Sequence, residues 1–370
     1  MCELQCNALL PDAQSYTPDT LDLNSDMLAA KYWFPCFRQM IAKFARQAAD
    51  SQRENDATAE QRAQKFEESY LSKLGEFEDK LQENAAIGKV LGTKQLLELN
   101  EIELRRFGFQ DPWAKQKKAE NKAAVALLER RLQEIDEIKD TNARWTELVR
   151  GVLAGNMFDW GAAAVANIIE TDADFGLHKA LDRIEKRPWL MDDLDAWLAR
   201  LNNSEKGAHK CAVVFVDNSG VDVCLGILPF VRELLKRGTK VLLCANSEPS
   251  LNDVTCKELS QLLEESACHC AILSQALSSQ RLIVYGNGQK GPCLDMRKLP
   301  VNLCNAIKSN ETDLLVIEGM GRALHTNLKA RFSCETLKLA VIKNKWLAQY
   351  LGGDTFAVMC KYETAQRANS

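Results

Sequence analysis

Two short stretches of the chain carry side chains that could bind a metal ion and a phosphate. Residues 214–220 read Val-Phe-Val-Asp-Asn-Ser-Gly, and residues 318–322 read Glu-Gly-Met-Gly-Arg after an apolar run. Asp217, Asn218 and Glu318 are therefore expected at the carboxyl ends of strands, the edge of an open α/β sheet where ligands bind. Hard oxygen ligands beside a glycine turn and an arginine predict metal-assisted chemistry on a phosphorylated small molecule.

The first stretch has a chemical and a structural interpretation. A carboxylate next to an amide carbonyl, as in Asp217 and Asn218, offers the oxygen ligands that magnesium or manganese prefers. The same dipeptide also forms turns that cap a following helix. Asp222 lies about one helical turn further on. It either faces the same pocket or compensates the helix dipole as a first-turn acid.

A third oxygen ligand could come from the connection after the second strand. A helix is predicted over residues 251–264 with Ser250 as its cap, which would place Asp253 in the first turn. From there the Asp253 carboxylate would point toward the sheet edge that carries Asp217. Asp253 is then either a metal ligand or another first-turn acid.

The second stretch suits an anion. Gly319 and Gly321, on either side of Met320, allow backbone amides to approach a phosphate closely, and Arg322 can clamp it bidentately. A Gly-x-Gly turn is common at strand exits, however, and the third glycine of the dinucleotide fingerprint is missing. Lys343 ends another apolar strand, where a lysine is either a phosphate ligand or a solvated edge residue.

One segment of the helical half could also reach the site. Residues 155–161, Gly-Asn-Met-Phe-Asp-Trp-Gly, interrupt a helical pattern with two glycines and two polar residues. Such a break either allows close packing or presents Asn156 and Asp159 to a cleft between domains. We include both residues among the candidate substrate-binding groups.

The elements that must position these residues divide the chain in two. Residues 1–25 form an irregular arm, and the helical periodicity of residues 26–200 predicts an all-helical domain over residues 1–205. After the polar residues 202–207, strands and helices alternate, which predicts a Rossmann-like, mostly parallel α/β/α sandwich over residues 206–370. The predicted strands are 211–216, 240–245, 281–285, 314–317, 339–342 and 356–359.

Composition excludes several classes of function. The net charge of −4 gives no global basic field for nucleic acid or an anionic membrane. No signal peptide and no membrane-spanning segment is apparent. The 13 cysteines are scattered and lack metal-binding spacing, so we expect reduced thiols in a cytoplasmic protein. No nucleophile elbow occurs, and Ser219 stands where a haloacid-dehalogenase-type phosphatase carries its second aspartate.

At these motifs the sequence resembles the metal-dependent damage-control phosphatases, formerly a domain of unknown function. The resemblance extends over residues 21–362 and is most specific at Glu318–Arg322, which marks one subgroup. Further matching segments are 150–161, 187–190, 217–222, 251–255 and 338–344. Within the subgroup the chain is similar to the 4'-phosphopantetheine phosphatase domain that is fused to an inactive pantothenate kinase paralogue.

The resemblance implies a divalent manganese, cobalt, nickel or magnesium ion held by Asp217, Asn218 and Asp253. It also implies a substrate lying against Asp222, Lys343 and residues 318–322. The expected reaction is hydrolysis of 4'-phosphopantetheine or its oxidised forms, with Asp217, Asp253 and Asp222 as the catalytic candidates. The alternatives are an S-adenosylmethionine-dependent carboxyl methyltransferase, a sugar-phosphate phosphatase and a non-catalytic partner protein. The oligomeric state is not predicted.

Overall fold

The elements of the protein assemble around one central sheet. A computed structural model describes residues 8–82, 91–159 and 176–366. The strands in these ranges are β1 Met191–Asp192, β2 Cys211–Phe215, β3 Lys240–Ala245, β4 Leu282–Gly286, β5 Leu314–Glu318, β6 Glu335–Val341 and β7 Val358–Glu363. They lie side by side in the order β1-β7-β6-β5-β2-β3-β4. Neighbours run parallel except β6 and β7, which are antiparallel.

Helices precede the central strands and then alternate with them. Before β2 the chain forms α1 Met27–Gln52, α2 Ala59–Gln82, α3 Thr93–Arg106, α4 Ala114–Glu137, α5 Thr141–Gly155, α6 Leu177–Arg183 and α7 Leu194–Asn202. After β2 it forms α8 Leu228–Lys236, α9 Cys256–Ala267, α10 Ala271–Ser278, α11 Val301–Ser309 and α12 Lys345–Tyr350. Two π-helical turns, Asp222–Ile227 and Met320–His325, follow the ends of β2 and β5, and a short 3-10 turn lies at Met296–Lys298.

The central strands are apolar because helices cover both faces of the sheet. Every residue of β2 and β5 is buried, as in parallel sheets generally. The predicted α/β class with a helical N-terminal region is therefore confirmed. The strands β6 and β7 are longer than their apolar runs predict, because charged residues inside them form pairs. Lys338 of β6 contacts Glu363 of β7 at 2.6 Å.

Both faces of the sheet are packed by helices from both parts of the chain. One core joins α1, α2 and α3 to α11 and to strand residues such as Phe215 and Ile317. The other joins α4, α5 and α7 to α8, α9 and residues such as Val214 and Val316. The two-residue strand β1 lies before residue 205 yet pairs with β7. The division into domains 1–205 and 206–370 stays a prediction.

The helix after β3 begins later than its pattern predicts. Thr255 is the cap of α9, since its hydroxyl accepts from the backbone N–H of Glu258, whose carboxylate accepts from the N–H of Thr255 at 2.8 Å. Bridges from Asn246 to Thr255 and from Asn218 to Asp253 hold the preceding segment extended. The predicted start with Ser250 as cap is therefore wrong. Asp253 lies before the helix, so it is not a first-turn acid.

Two expectations from composition concern the membrane and the cysteines. No helix in the described ranges is both long and apolar enough to cross a membrane. Free thiols are found at Cys36, Cys211, Cys224, Cys244, Cys256, Cys268, Cys270, Cys293, Cys334 and Cys360. The sulfur of Cys304 is instead disulfide-bonded, so the expectation of reduced cysteines fails for that residue.

The close packing of α5 against the first π-helical turn generates a prediction. A Cβ atom on Gly155 would lie 2.8 Å from the Cα of Asp222, so the backbone must shift to accept it. We expect Gly155→Ala to lower the free energy of unfolding by about 1–3 kcal/mol. Gly75→Ala in α2 is the control, because among the described residues no atom outside its own helix backbone lies within 4 Å of a Cβ built there.

The control substitution should stabilise the protein by roughly 0.5–1 kcal/mol, since alanine loses less backbone entropy than glycine in a helix. Urea unfolding of both variants makes the comparison. Equal stability of the two variants would show that α5 does not depend on close backbone contact at Gly155.

Candidate metal and phosphate site

Loop connections at the carboxyl edge of the sheet bring the predicted ligands together. Asp217 and Asn218 follow β2, while Asp253 follows β3 in the extended segment. That segment is joined to the end of β2 by backbone hydrogen bonds from Val254 N to Asp217 O at 3.0 Å and from Ser219 N to Asn252 O at 2.9 Å. The three residues proposed as metal ligands are therefore neighbours, as the sequence predicted, and all three line one cavity.

Two more carboxylates lie behind Asp217. Oxygens of Asp217, Asp222 and Glu318 all lie within 4.8 Å of one another, and Asp222 and Glu318 are fully buried. We call Asp217, Asp222, Asp253 and Glu318 the acidic cluster. In the described part of the chain, Asp222 Oδ1 and Glu318 Oε2 have no hydrogen-bond partner.

Asp222 orients Asn218. The Asp222 Oδ2 atom accepts from the backbone N–H of Asn218 at 3.0 Å and from its side-chain Nδ2 at 2.9 Å. The amide nitrogen of Asn218 is thereby directed to Asp222, which leaves the amide oxygen as the Asn218 atom that could bind a cation. Asp222 itself is not among the residues that line the cavity.

The glycine turn after β5 makes room for the acidic cluster. Gly319 has a φ of 105°, and a Cβ atom there would lie 2.3 Å from Asp217 Oδ2. A Cβ atom on Gly321 would lie 2.2 Å from the carbonyl oxygen of Pro292. Neither position therefore has room for a side chain. Met320 and Gly321 also line the cavity. Their contact with a phosphate stays a prediction.

Arg322 lies between two of the expected metal ligands. Its fully buried guanidinium contacts Asp217 and, at 2.7 Å, the Oδ2 of Asp253. It also donates to Asn246 Oδ1 at 3.1 Å. The sequence motif predicted a phosphate clamp, and that role stays a prediction. The geometry adds a second role, which is to neutralise the carboxylates that a cation would bind.

The helical half reaches the site through Asn156 and Asp159. Asn156 Nδ2 donates to Asp217 Oδ2 at 2.9 Å and to Glu318 Oε1 at 2.6 Å. Lys343 Nζ donates to the backbone oxygen of Asn156 at 2.6 Å and pairs with Asp159 at 2.8 Å. The two polar residues of the predicted break are thus next to the acidic cluster. Residues 160 and 161 of that break lie outside the described residues.

Burial disfavours the ionised forms of the acidic cluster. Burial and the neighbouring Asp217 raise the pKa of Asp222 to about 7, and burial raises the pKa of Asp253 to about 8 against the opposing effect of Arg322. Burial also raises the pKa of Asp217 and of Glu318. The oxygens that have no partner among the described residues belong to Asp222 and Glu318, whose carboxyl groups lie beside Asp217. A divalent cation bound to Asp217 would stabilise the ionised forms of these buried groups, so the residues present fit such an ion.

Asn246 was missed by the sequence analysis, although it takes part in the site. It stands directly after β3 and donates to Asp253 Oδ2 at 2.9 Å. Its position at a strand end is the same signal that identified Asp217. His325 also lines the cavity. Its Nδ1 atom lies 3.2 Å from the Oγ1 of Thr93, the first residue of α3.

Comparisons with known proteins agree with this arrangement. Residues 34–358 match the damage-control phosphatase ARMT1-like domain. The chain is 39% identical to a 4'-phosphopantetheine phosphatase of Mus musculus over 96% of its own length and 48% of that protein. It is also 39% identical to a pantothenate kinase 2 of Oryza sativa subsp. japonica, over 96% of its length and 41% of that protein. The chain thus spans about half the length of these relatives.

A shorter relative and a solved structure resemble nearly the whole chain. A damage-control phosphatase of Arabidopsis thaliana is 36% identical over 90% of this chain and 88% of the relative. The crystal structure of a DUF89 family protein from Pyrococcus horikoshii superposes with a TM-score of 0.57 at 14% identity. It covers 90% of this chain and 97% of the other, which supports the fold.

The position of Arg322 generates a stability prediction. Arg322→Ala leaves the Asp217 and Asp253 carboxylates buried without their cation, so we expect a loss of about 3–5 kcal/mol in chelator-treated protein. Arg53→Ala is the control, since Arg53 is 61% exposed and its pairs with Asp50 and Glu60 lie at the surface. It should cost less than about 1 kcal/mol. Similar unfolding midpoints in urea for the two variants would contradict this role of Arg322.

Proposed function

The chain belongs to the damage-control phosphatase ARMT1-like domain family, and on that premise we propose that it is a metal-dependent phosphatase of small phosphomonoesters. The preferred substrate we infer is 4'-phosphopantetheine, together with its oxidised forms. Removing the phosphate would discard damaged intermediates or limit coenzyme A synthesis. The name of the mouse relative supports the substrate, and the acidic cluster at the cavity supports the chemistry.

The observation that most directly supports this function is the set of polar residues that line one side of the cavity, which we call the cavity floor. Asp217, Asn218 and Asp253 present oxygen donors on one side, and Lys343 supplies a buried cation beside them. We assign these three oxygen donors to a divalent ion. When bound, such an ion offsets phosphate charge and lowers the pKa of a bound water. Manganese, cobalt, nickel and magnesium all accept this donor set, and the choice among them is open to measurement.

Other residues would bind the phosphate, activate water and position the metal ligands. Lys343 lines the cavity and would bind a phosphate oxygen. Arg322 does not line it, so it would hold Asp217 and Asp253 in place and act on the phosphate through its charge. Asp253 is the better candidate for orienting or deprotonating water, because it lines the cavity whereas Asp222 does not. Asp222 is a positioning residue, since it directs the amide of Asn218.

The alternatives receive less support. The relatives named above include phosphatases, which does not favour the carboxyl methyltransferase. A sugar-phosphate phosphatase shares the cavity floor but needs polar partners for hydroxyl groups. A cytoplasmic location remains part of the proposal and rests on composition.

The proposed reaction is tested with a panel of substrates and metals. Purified protein should release phosphate from 4'-phosphopantetheine with the highest kcat/KM, in the presence of one or more of the four ions. Equal release in the presence of a chelator would refute the metal dependence. A sugar phosphate with a clearly higher kcat/KM would refute the substrate assignment.

Asp217 and Asp222 should differ in their effect on metal binding. Asp217→Asn removes a charged ligand, so both metal affinity and kcat should collapse. Asp222→Asn keeps the three proposed ligands but removes the carboxylate that orients Asn218 and lies within 4.8 Å of Asp217, and we expect a loss of roughly 10–100-fold in metal affinity. Calorimetric titration with manganese measures both, with Asp195→Asn, at 81% exposure, as the control. Unchanged metal binding by Asp217→Asn would show that the metal site is elsewhere.

Asn156→Ala tests whether the helical half contributes to the reaction. The substitution removes the amide that separates Lys343 from Asp217 and Glu318, so kcat/KM should fall at least roughly tenfold, as for loss of one hydrogen bond to a charged group. Asn202→Ala is the matched control, because the Asn202 side chain donates only to exposed Asn142 at 2.7 Å among the bonds found in the described residues. Normal kinetics for Asn156→Ala would contradict the role.

A further inference from the structure

The cavity lined by Asp217 and Asp253 of the acidic cluster has a second wall of different chemistry. It has a volume of about 400 Å³, within the usual range for sites that bind small molecules. The wall comes from α1, where Tyr32, Cys36 and Met40 recur at intervals of four residues and so share one helix face. All three are half-buried, whereas Phe34 and Ile41 point into the core.

The part of α1 that lines the cavity is mostly apolar and contains sulfur, and Gln39 and Lys43 are its polar residues. The hydroxyl of Tyr32 already accepts a hydrogen bond from Asn344 Nδ2 at 2.8 Å. Burial raises the pKa of the Cys36 thiol, which therefore stays uncharged at neutral pH. The thioether of Met40 adapts its shape to an apolar ligand. Met320 and Leu97 line the same cavity and extend its apolar surface.

Ring stacking and a helix cap hold the backbone of this wall in place, which favours a role in binding. Tyr32 stacks on Trp346 with ring centroids 4.8 Å apart, and the neighbouring Trp33 contacts His325 edge-on at 5.1 Å. The helix is capped by Asp26, whose side chain accepts from the backbone N–H of Ala29 at 2.9 Å. A preorganised surface loses little conformational entropy when a ligand binds to it.

We propose that the Tyr32–Cys36–Met40 face of α1, together with Met320 and Leu97, determines substrate specificity by binding an extended, uncharged arm of the phosphomonoester. This inference rests on the proposed function and names the surface that reads the part of the substrate away from the phosphate.

The test compares esters that share a phosphate but differ in the arm. The substrates are 4'-phosphopantetheine, 4'-phosphopantothenate, which lacks the cysteamine end, and ethyl phosphate. For Met40→Ala we expect the ratio of kcat/KM for 4'-phosphopantetheine over ethyl phosphate to fall roughly tenfold, mainly through KM. The ratio of kcat/KM for 4'-phosphopantothenate over ethyl phosphate should fall less if the cysteamine end contacts this face. Leu28→Ala, on the same helix and 72% exposed, should keep the wild-type ratio.

A second variant fills the cavity instead of enlarging it. Cys36→Trp should lower the same ratio by excluding the long arm, and melting curves verify that both variants are folded. If either folded variant lowers kcat/KM for the long and short esters by the same factor, or leaves both unchanged, the inference is overturned while the proposed function stands. A wild-type protein that hydrolyses none of the esters with any of the four metals overturns the proposed function and this inference with it.

Discussion

The structure depends on holding four carboxyl groups, those of the acidic cluster, away from water at one edge of the sheet. Moving a carboxylate out of water costs several kcal/mol, and attraction to a buried cation compensates for it only with good geometry. Here Arg322 and Lys343 oppose the acidic cluster and Asp159. Because the two cations do not balance these carboxylates, the surrounding backbone must fix each side chain where a further cation is best accommodated.

Several local features follow from this constraint. Gly319 is needed because any side chain at that position would collide with the Asp217 carboxylate. Gly155 allows α5 to lie directly against the backbone of Asp222, which brings the next residue, Asn156, to the acidic cluster. The amide of Asn156 donates to the carboxylates with one end and accepts from Lys343 with the other. It thus joins the positive and negative sides of the site without adding a charge.

The sequence predicted the site residues that follow strand ends. It predicted few of the features that depend on tertiary packing. Apolar runs followed by polar residues identified the positions of Asp217, Asn218 and Glu318, because strand direction alone places them at one edge. The start of α9 was predicted wrongly, since long-range bridges keep the residues around Asp253 extended. Asn246 carried a strand-end signal that was not used. The wall on α1 gave no signal, because half-buried and core residues of an amphipathic helix have the same types.

The helical half therefore belongs to the site and not merely to the scaffold. Its helix α1 contributes Phe34 and Ile41 to the same core as β2 and β5, and the neighbouring face of that helix forms the cavity wall. Its helix α5 ends where Asn156 reaches the acidic cluster. Enzymes can use binding energy from remote parts of a substrate to position the reacting group. The wall on α1 and the proposed phosphate site on the sheet would provide the two contact regions that such positioning requires.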